Sequence, residues 1–327
     1  MQNFEDPLKI LVTGGAGFMG YHLGKLLSDK GFQVILLDNL DVEKFDDELI
    51  VLIEKPNVSF VKVDLADMNA VGKLENDYTH IVHFAALLGV QNVLTNPFDI
   101  LKLNAELVIN IVELAKQQKN LRQFLFASTS EVYAGAMEAG YLEIPSPETS
   151  QLVLPKLDSP RTSYMLSKIY GEALCQHSNL PYTILRPHNI YGPRMGMRHV
   201  IPELLRKVIA SEGEAVEVFS LHHSRTFCYV SDAVNMIFEL MQNKDSIGHV
   251  FNIGNQGPEI TIGDLAELIT EIVNKDLAIR NMGVTQGSPE RRAPDMARLK
   301  NLTDYESQVS LNEGIKKCAE WYVTNVF

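Results

Sequence analysis

A tyrosine and a lysine four positions apart, Tyr164 and Lys168 (YMLSK), could carry out acid–base chemistry. If this segment is helical, the two residues share a face and the ammonium lies beside the phenol. A positive charge there lowers the pKa of a phenol, so that tyrosinate becomes available as a base near neutral pH. Spacing alone does not select this pair, because Tyr21 and Lys25 (YHLGK) have the same spacing.

The surroundings of the two pairs along the chain differ. The tract ASTSEVY, residues 127–133, begins at the end of a predicted buried strand. Ligands bind at the carboxyl ends of strands in a doubly wound parallel sheet, so a hydroxyl of Ser128 or Thr129 could meet Tyr164 over a substrate. The other pair lies in the helix that follows a glycine-rich loop, past the end that would hold a phosphate. We therefore interpret Tyr21–Lys25 as a packing and surface pair.

That glycine-rich loop, residues 13–20 (TGGAGFMG), lies between a predicted strand, 9–12, and a predicted helix, 18–30. Glycines at three-residue spacing make a tight turn and let backbone N–H groups approach a pyrophosphate at the helix N-terminus. Asp38 ends the next predicted strand, where a carboxylate can bind the adenosine ribose hydroxyls and repel a 2′-phosphate. The sequence therefore predicts a site for NAD rather than NADP. The residues assigned to it are Gly14, Gly17, Phe18, Met19, Gly20, Asp38 and Asn39.

The elements that must position these residues alternate along the first half of the chain. Short β-rich runs and amphipathic helical patterns imply right-handed crossovers and a parallel sheet covered on both faces. The predicted strands are 9–12, 33–37, 58–63, 80–85, 123–127 and 181–187, and the predicted helices are 18–30, 98–119 and 162–177. After Pro187 the elements become shorter. We therefore predict an α/β fold, with a Rossmann-type doubly wound parallel sheet and a smaller C-terminal α/β lobe.

Composition and charge narrow the range of partners. The chain has 327 residues, 46% of them hydrophobic, and a formal net charge of −12. A nucleic acid or an anionic membrane calls for a basic patch, and the scattered basic residues argue against either as the main partner. Nine histidines without ligand spacing predict no metal site. Three distant cysteines, an N-terminus unlike a signal peptide and no apolar stretch of about 20 residues predict a cytoplasmic protein.

Five motifs come in the order and spacing of one known family. They are the glycine loop, Asp38, ASTSEVY, YMLSK and RPHNIYGP at residues 186–193. Over nearly its whole length the chain resembles the extended short-chain dehydrogenase/reductase family, the nucleotide-sugar epimerases and dehydratases. The resemblance implies bound NAD and a nucleotide-diphosphate sugar as substrate. It also implies an NAD-binding Rossmann domain over residues 1–187 and about 226–254, and a sugar-nucleotide lobe over 188–225 and 255–327.

The resemblance also implies roles for individual residues. Tyr164 would take the proton from a sugar hydroxyl, usually at C4, while hydride passes from the same carbon to NAD. Lys168 would bind the nicotinamide ribose and hold Tyr164 anionic, and Thr129 would hydrogen-bond the reacting oxygen. The further cofactor contacts that it implies are Asp64, Leu65, Ala85, Ala86, Asn104 and Pro187. The contacts that it implies to the sugar-nucleotide diphosphate are Asn189, Arg225 and Arg292.

Two residues after Thr129, namely Ser130 and Glu131, bear on the reaction. Simple C4 epimerases of the family usually carry small, non-acidic residues there. A carboxylate beside the sugar can remove the C5 proton once C4 is a ketone, and loss of the C6 hydroxyl then leads to 4,6-dehydration, the reaction that we expect. Thr-Ser-Glu also matches the UDP-glucuronate decarboxylases, in which C4 oxidation creates a β-keto acid that loses CO₂.

Other readings stay open at this point. Within the family, the alternatives are C4 epimerisation and release of the 4-keto product. A different class of protein would be a non-catalytic NAD-binding sensor or scaffold, but such members typically lack the tyrosine or the lysine, and both are present here. The family also implies a homodimer, in which helices 98–119 and 162–177 pair across a two-fold axis as a four-helix bundle. The apolar stripe of the first helix would equally serve packing on the sheet.

Overall fold

The computed structural model describes residues 8–40, 45–87, 89–285 and 289–327, which belong to two compact units. The first unit holds the described residues up to Val132, together with Leu154–Arg186 and Val234–Phe251. The second holds Tyr133–Val153, Pro187–Ala233 and the described part of the chain from Asn252 onward. Compared with the predicted domain boundaries, residues 133–153 and 226–233 group with the second unit.

The secondary structure consists of short strands and mostly longer helices. The strands, numbered in chain order, are β1 Lys9–Thr13, β2 Gln33–Asp38, β3 Val58–Lys62, β4 His80–His83, β5 Gln123–Ala127, β6 Tyr182–Pro187, β7 Ile190–Tyr191, β8 Ala215–Val218, β9 Ser224–Arg225, β10 Cys228–Tyr229, β11 His249–Ile253, β12 Ile260–Thr261, β13 Ala278–Asn281 and β14 Arg291–Arg292. The α-helices are α1 Phe18–Asp29, α2 Asp47–Ile53, α3 Met68–Val71, α4 Val90–Thr95, α5 Pro97–Lys116, α6 Ala134–Glu138, α7 Pro160–His177, α8 Val200–Ala210, α9 Val230–Gln242, α10 Ile262–Val273, α11 Ala297–Thr303 and α12 Leu311–Asn325. Ser130–Tyr133 and Lys244–Ser246 form single 3₁₀ turns.

Seven strands form the large sheet, in the order β11-β6-β5-β4-β1-β2-β3. The pairs from β6 through β3 all run parallel, so each connection between them crosses over the sheet. The strand order reverses between β1 and β4, and this reversal is the switch point at which doubly wound sheets bind ligands. The predicted α/β class with a doubly wound, Rossmann-type sheet is therefore confirmed.

Helix α5 shows why these residues form a helix on the sheet. Pro97 begins it, where a missing N–H costs nothing, and Ile100, Ile111 and Leu114 lie buried along its inner face. Ile111 belongs to the apolar cluster that also contains Phe124 of β5. Truncating such a fully buried residue to alanine costs about 2–5 kcal/mol, so this face is important for the stability of the unit.

The second unit contains small sheets and short helices. β10 pairs parallel with β7, β13 pairs parallel with β8, and β9 lies between β12 and β14. Helices α8 and α10 pack together there, each with an apolar face. The predicted C-terminal α/β lobe with short elements is confirmed.

The described residues bear on three further features, namely membrane-spanning helices, metal sites and disulfides. No helix there has the length and apolarity needed to cross a bilayer. No three acidic, histidine or cysteine side chains of the described chain lie together as a metal site would require. Cys175, Cys228 and Cys318 are free thiols, and all three are buried.

Candidate active site

The glycine loop joins β1 to α1 at the switch point of the sheet. Gly14 has a φ of +68°, and a Cβ built on it would lie 2.9 Å from the backbone nitrogen of Ala85. A Cβ on Gly20 would lie 2.1 Å from the carbonyl oxygen of Gly14. Neither position accepts a side chain without movement of backbone, so the turn and the first turn of α1 pack directly on each other and on the segment after β4.

The N-terminus of α1 is suited to an anion. Gly17 precedes the helix, and among the described residues of this turn no side chain caps the helix and no acidic residue follows in its first turn. The N–H groups that begin a helix lack intrahelical partners, and the helix dipole favours negative charge beside them. This end of α1 can therefore bind a pyrophosphate, and it lies where Phe18 and Met19 begin the helix.

Asp38 is held in place at the end of β2. Its Oδ2 accepts a hydrogen bond from the Ala16 N–H at 3.1 Å, and its Oδ1 accepts one from the Leu40 N–H at 3.1 Å. These two bonds aim the carboxylate across the glycine loop and leave acceptor capacity for a ribose hydroxyl. Asn39 follows it directly, in a half-buried position.

Two buried asparagines of α5 hold the segments that follow β4 and β3. The Asn104 side chain accepts from the Leu87 N–H at 2.7 Å and donates to the Leu87 carbonyl at 3.0 Å. This fixes the segment that begins with Ala85 and Ala86. The structure thus gives Asn104 protein partners for both ends of its amide, and a direct contact with the cofactor stays a prediction.

The second asparagine, Asn110, was missed by the sequence analysis. Its Nδ2 donates to the Leu65 carbonyl at 2.7 Å, and it fixes the Asp64–Leu65 segment after β3. Asp64 itself is exposed, and its Oδ1 accepts from the Ala66 N–H at 2.9 Å. The available signal was a polar residue among the apolar residues of α5, since a buried amide needs a hydrogen-bond partner.

Thr129, Tyr164 and Lys168 come together at the carboxyl end of β5. The hydroxyl of Thr129 is hydrogen-bonded to the phenol of Tyr164, and it also accepts from the Glu131 N–H at 3.2 Å. The Lys168 ammonium donates to the Ala127 carbonyl at 2.7 Å and lies 5.9 Å from the centre of the Tyr164 ring. The sequence-predicted pair on α7 and the hydroxyl after β5 therefore form one group.

The pKa of Tyr164 departs from the sequence-based expectation. Burial raises it well above the ordinary value, the negative charge of Glu131 raises it further, and the hydrogen bond with Thr129 opposes the rise. The expected lowering is therefore wrong for the protein groups taken alone. Ionisation of this phenol requires additional positive charge close to it.

The pKa of Lys168 is lowered by burial to about 8, whereas the nearby Cys175 and Glu172 raise it. A lysine with this pKa is charged over most of its population at neutral pH and loses its proton on mild alkalinisation. Its bond to the Ala127 carbonyl favours the ammonium form and fixes where that charge lies.

Ser130 and Glu131 begin the 3₁₀ turn that follows Thr129. Ser130 is buried, whereas Glu131 is half-buried and close enough to Tyr164 for its charge to act on the phenol. The structure therefore brings a carboxylate close to Tyr164, the predicted base, and this carboxylate is the predicted one, that of Glu131.

The second Tyr–Lys pair has different partners. The Lys25 ammonium pairs with Asp29, one turn further along α1, at 2.6 Å from its Oδ2. Tyr21 is buried, with its ring 5.2 Å from the ring of His22. The interpretation of Tyr21–Lys25 as a packing and surface pair is confirmed.

The predicted diphosphate contacts lie in the second unit. Arg225 of β9 and Arg292 of β14 are register partners on neighbouring parallel strands. The Arg225 guanidinium donates to the carbonyls of Ser224 at 2.7 Å, Glu290 at 3.1 Å and Pro289, so it braces the chain that leads to Arg292. A contact of these arginines with a diphosphate stays a prediction.

Asn189 follows Pro187, the last residue of β6, and has a φ of +44°. Its Nδ2 donates to the Thr226 carbonyl at 2.9 Å, which ties the turn after β6 to the strand that carries Arg225. The amide is therefore engaged within the second unit, and the predicted substrate contact of Asn189 and cofactor contact of Pro187 also stay predictions.

The chain matches the NAD dependent epimerase/dehydratase family over residues 10–254, about three-quarters of its length. The protein belongs to this family. The match spans the glycine loop, the end of β5 and the Tyr164–Lys168 pair, so the sequence-based resemblance is confirmed.

The chain is similar along nearly its whole length to family members with different activities. The chain is 30% identical to UDP-N-acetyl-alpha-D-glucosaminuronate decarboxylase of Bacillus cytotoxicus, over 96% of this chain and 97% of that one. It is 30% identical to the trifunctional UDP-glucose 4,6-dehydratase, 3,5-epimerase and reductase of Arabidopsis thaliana, over 98% of this chain and 47% of that one. The structure of UDP-glucuronic acid 4-epimerase of Bacillus cereus, in complex with UDP-glucuronic acid and NAD, superposes with a TM-score of 0.83 at 26% identity, over 97% of this chain and 99% of that one.

The first unit of this epimerase/dehydratase-family protein fits the family's cofactor, NAD. The absence of a Cβ at Gly14 and Gly20 lets the loop pack directly on α1 and on the segment after β4, which gives the tight strand-to-helix turn that a dinucleotide site needs. The α1 N-terminus offers free N–H groups, and Asp38 offers a ribose acceptor that would repel a 2′-phosphate. The loop and the helix N-terminus fit either dinucleotide, whereas the Asp38 carboxylate fits NAD better than NADP.

Proposed function

We propose that this protein is a UDP-sugar lyase that works through oxidation at C4. The observation that carries the proposal is the group formed by Thr129, Tyr164 and Lys168, with the Glu131 carboxylate acting on the same phenol. A non-catalytic NAD-binding protein would not need a carboxylate at the reacting tyrosine. The presence of all four side chains in one group therefore favours an enzyme over a sensor or scaffold.

The first step is removal of two hydrogens from C4 of the sugar. Tyr164 accepts the proton of the C4 hydroxyl, and bound NAD supplies the acceptor for the C4 hydride. Thr129 donates to the same oxygen and holds the C4 hydroxyl in line, while Lys168 keeps a positive charge beside the phenol. Lys168 is the residue of this group that supplies positive charge for the ionisation of Tyr164.

Of the two lyase reactions, decarboxylation of a UDP-hexuronate is the first candidate. UDP-N-acetyl-alpha-D-glucosaminuronate decarboxylase of Bacillus cytotoxicus aligns over 96% of this chain and 97% of its own length. A C4 ketone makes the C5 carboxylate a β-keto acid, which loses CO₂ with its electron pair left as an enolate. Glu131 is placed to return a proton to C5, and hydride and proton then return to C4.

The second candidate is 4,6-dehydration of a UDP-hexose, the reaction that the sequence analysis put first. It is favoured by Glu131, because a carboxylate beside the ketone can remove the C5 proton as the C6 hydroxyl leaves as water. Hydride then goes to C6 and a proton returns to C5. The match to a trifunctional protein with UDP-glucose 4,6-dehydratase activity supports this reading. C4 epimerisation and release of the ketone need no carboxylate at this place.

The test is to incubate the purified protein with UDP-glucuronate, UDP-N-acetylglucosaminuronate and UDP-glucose and to weigh the products. Loss of CO₂ identifies the decarboxylase, and loss of water identifies the dehydratase. Loss of two hydrogens identifies release of the 4-keto product. Unchanged mass with altered stereochemistry identifies the epimerase and would overturn the proposal of a lyase.

We further propose that the protein is a homodimer through α5 and α7. Phe98 is 74% exposed and Tyr170 40% exposed, and Ile109 is also exposed on α5. Large apolar side chains exposed on two helices that pack together support a surface that a second copy covers. The three free, buried thiols support the expectation of a reducing compartment such as the cytoplasm.

A further inference from the structure

A buried ion pair lies behind Thr129 and Lys168 in the first unit. The Arg186 guanidinium donates to both oxygens of Glu172, with Nε 2.9 Å from Oε1 and Nη2 2.7 Å from Oε2. The Ser128 hydroxyl donates to the same Oε1 at 2.5 Å. The side chains of Glu172 and Arg186 are each only 4% exposed. The carboxylate is therefore fully engaged by protein groups and shielded from water.

The three residues belong to the elements that carry the reacting groups. Glu172 lies one turn after Lys168 on α7, and Ser128 directly precedes Thr129 at the end of β5. The Ser128 N–H donates to the Leu185 carbonyl at 2.7 Å, one residue before Arg186 on β6. The Glu172 carboxylate thus joins α7, the end of β5 and the end of β6. Two of these elements lead to the proposed reacting groups, Lys168 on α7 and Thr129 after β5.

Stability alone does not explain this arrangement. The cost of removing two charges from water offsets most of their attraction, and apolar residues of similar volume stabilise such a site as well or better. We propose that Glu172 is a positioning residue of the reaction, which holds Thr129 in place through Ser128 and preserves the positive charge of Lys168 beside Tyr164. This inference deepens the proposed function and rests on the roles given there to Thr129, Tyr164 and Lys168.

The groups that face Lys168 come from α7 and from three strands. Tyr164, Glu172 and Cys175 share its helix, and His83 faces it from β4. From β5 it meets the Ala127 carbonyl and the ring of Phe126, and β6 contributes Arg186, which is bound to Glu172.

Most of these groups carry no charge. Burial lowers the pKa of His83 to about 3, so it is neutral, and burial raises the pKa of the Cys175 thiol, so it keeps its proton. The pKa of Tyr164 is also raised. Among the facing groups named here, Glu172 is the one that supplies negative charge to Lys168. Removing that charge must lower the pKa of Lys168 below about 8.

The decisive variant is Glu172→Gln, which keeps an acceptor for Ser128 and removes the charge. The first measurement is the NMR titration of lysine side chains labelled at Cε, with the Lys168 signal assigned by its loss in Lys168→Met. We expect the Lys168 titration in Glu172→Gln to move to lower pH by about one pH unit. Glu113→Gln, which removes an exposed partner of Lys116, is the matched control and should leave that titration unchanged.

The second measurement is the rate at which a UDP-sugar reduces bound NAD in a single turnover. Because activity requires a charged Lys168, the alkaline limb of the rate should move to lower pH in Glu172→Gln, in parallel with the titration. KM should change little, since Glu172 does not touch the sugar. Ser128→Ala keeps the negative charge of Glu172 and removes only the hydrogen bond to the residue before Thr129. It should therefore lower the rate of NAD reduction without shifting the alkaline limb of the pH profile.

If Glu172→Gln does not fold, the double variant Glu172→Met with Arg186→Met is measured instead, because it leaves no buried charge unpaired. It should move the Lys168 titration in the same direction but by less, because the positive charge of Arg186 is removed together with the negative charge of Glu172. An unchanged Lys168 titration in either folded variant overturns the proposal. The titration needs no substrate, so its result stands even if no UDP-sugar reduces NAD in the unmodified protein, an outcome that would instead overturn the proposed function.

Discussion

The hydroxyl of Thr129 and the phenol of Tyr164 are hydrogen-bonded to each other, although one residue follows β5 and the other lies in the first turns of α7. Thr129 also accepts from the Glu131 N–H, so its remaining hydrogen points to the phenol or to a bound hydroxyl. A sugar hydroxyl that binds between these two side chains would contact both a hydrogen-bond donor, Thr129, and the proposed base, Tyr164.

Replacement of the phenol should stop the first half-reaction. We expect Tyr164→Phe to lower the rate of NAD reduction by a UDP-sugar by at least about 10²-fold, because the base is removed while the packing is kept. Tyr21→Phe is the matched control, since that residue has the same spacing to a lysine. Stopped-flow absorbance of the reduced nicotinamide measures both. Equal losses in the two variants would contradict the assignment.

Glu131→Gln should separate the two halves of the reaction. Reduction of bound NAD should persist, because Tyr164 and Lys168 are untouched, whereas formation of the final product should fall by about 10²-fold or more. Removing this negative charge should also lower the pKa of Tyr164, so the acid limb of NAD reduction should move to lower pH. Mass analysis of products beside the single-turnover trace checks both expectations. Normal turnover in this variant would remove Glu131 from the mechanism.

A methyl group at Gly20 should weaken cofactor binding. The Cβ of Gly20→Ala would lie 2.1 Å from the Gly14 carbonyl oxygen, so the glycine loop must move away from α1, whose N-terminus is the predicted pyrophosphate site. We expect NAD affinity to fall by about 10²-fold, measured by calorimetry. Gly213→Ala, whose Cβ meets nothing within 4 Å, is the control and should bind NAD normally.

Asn110→Ala tests the support of the segment after β3. Loss of its bond to the Leu65 carbonyl leaves a buried acceptor unpaired, which should cost about 1–3 kcal/mol in the free energy of unfolding. NAD affinity should weaken because the Asp64–Leu65 segment loses its anchor. Asn325→Ala removes an exposed bond within α12 and should change neither quantity. Denaturant unfolding and NAD titration, done on both variants, decide the matter.

The proposed dimer predicts the effect of a charge on α5. Ile109→Glu should convert a dimer to a monomer, because a carboxylate cannot be buried between apolar surfaces without a partner. Light scattering after gel filtration measures the mass. Val51→Glu, at a more exposed apolar site on α2 in the same unit, should leave the mass unchanged. A monomeric unmodified protein would overturn this proposal.

The sequence predicted the parts of the fold that depend on local pattern. Buried strand runs, the α5 stripe and the glycine loop with Asp38 all have periodicity or spacing that a single chain displays, and the structure has them at the predicted places. The Thr129–Tyr164 bond was also within reach, because strand ends in a parallel sheet share one edge.

What the sequence could not predict depends on contacts between distant segments. The pair of Glu172 with Arg186 and the anchoring of Leu65 by Asn110 need the packed sheet to bring them together. The raised pKa of Tyr164 follows from burial, which spacing does not encode. The backbone partners of Arg225 likewise depend on where residues 289–290 come to lie.

The glycine loop has a consequence for the lifetime of the bound cofactor. Its turn is set by contacts among Gly14, Gly20 and Ala85, and the Asp38 carboxylate is aimed by two backbone bonds, all from the protein itself. Little ordering entropy is therefore spent when the dinucleotide binds, and more of the contact energy appears as affinity. A binding site that is ordered in this way before NAD binds should release NAD slowly. Under the proposed lyase function, the same NAD molecule would accept a hydride from one sugar and return it before leaving, without an external redox partner.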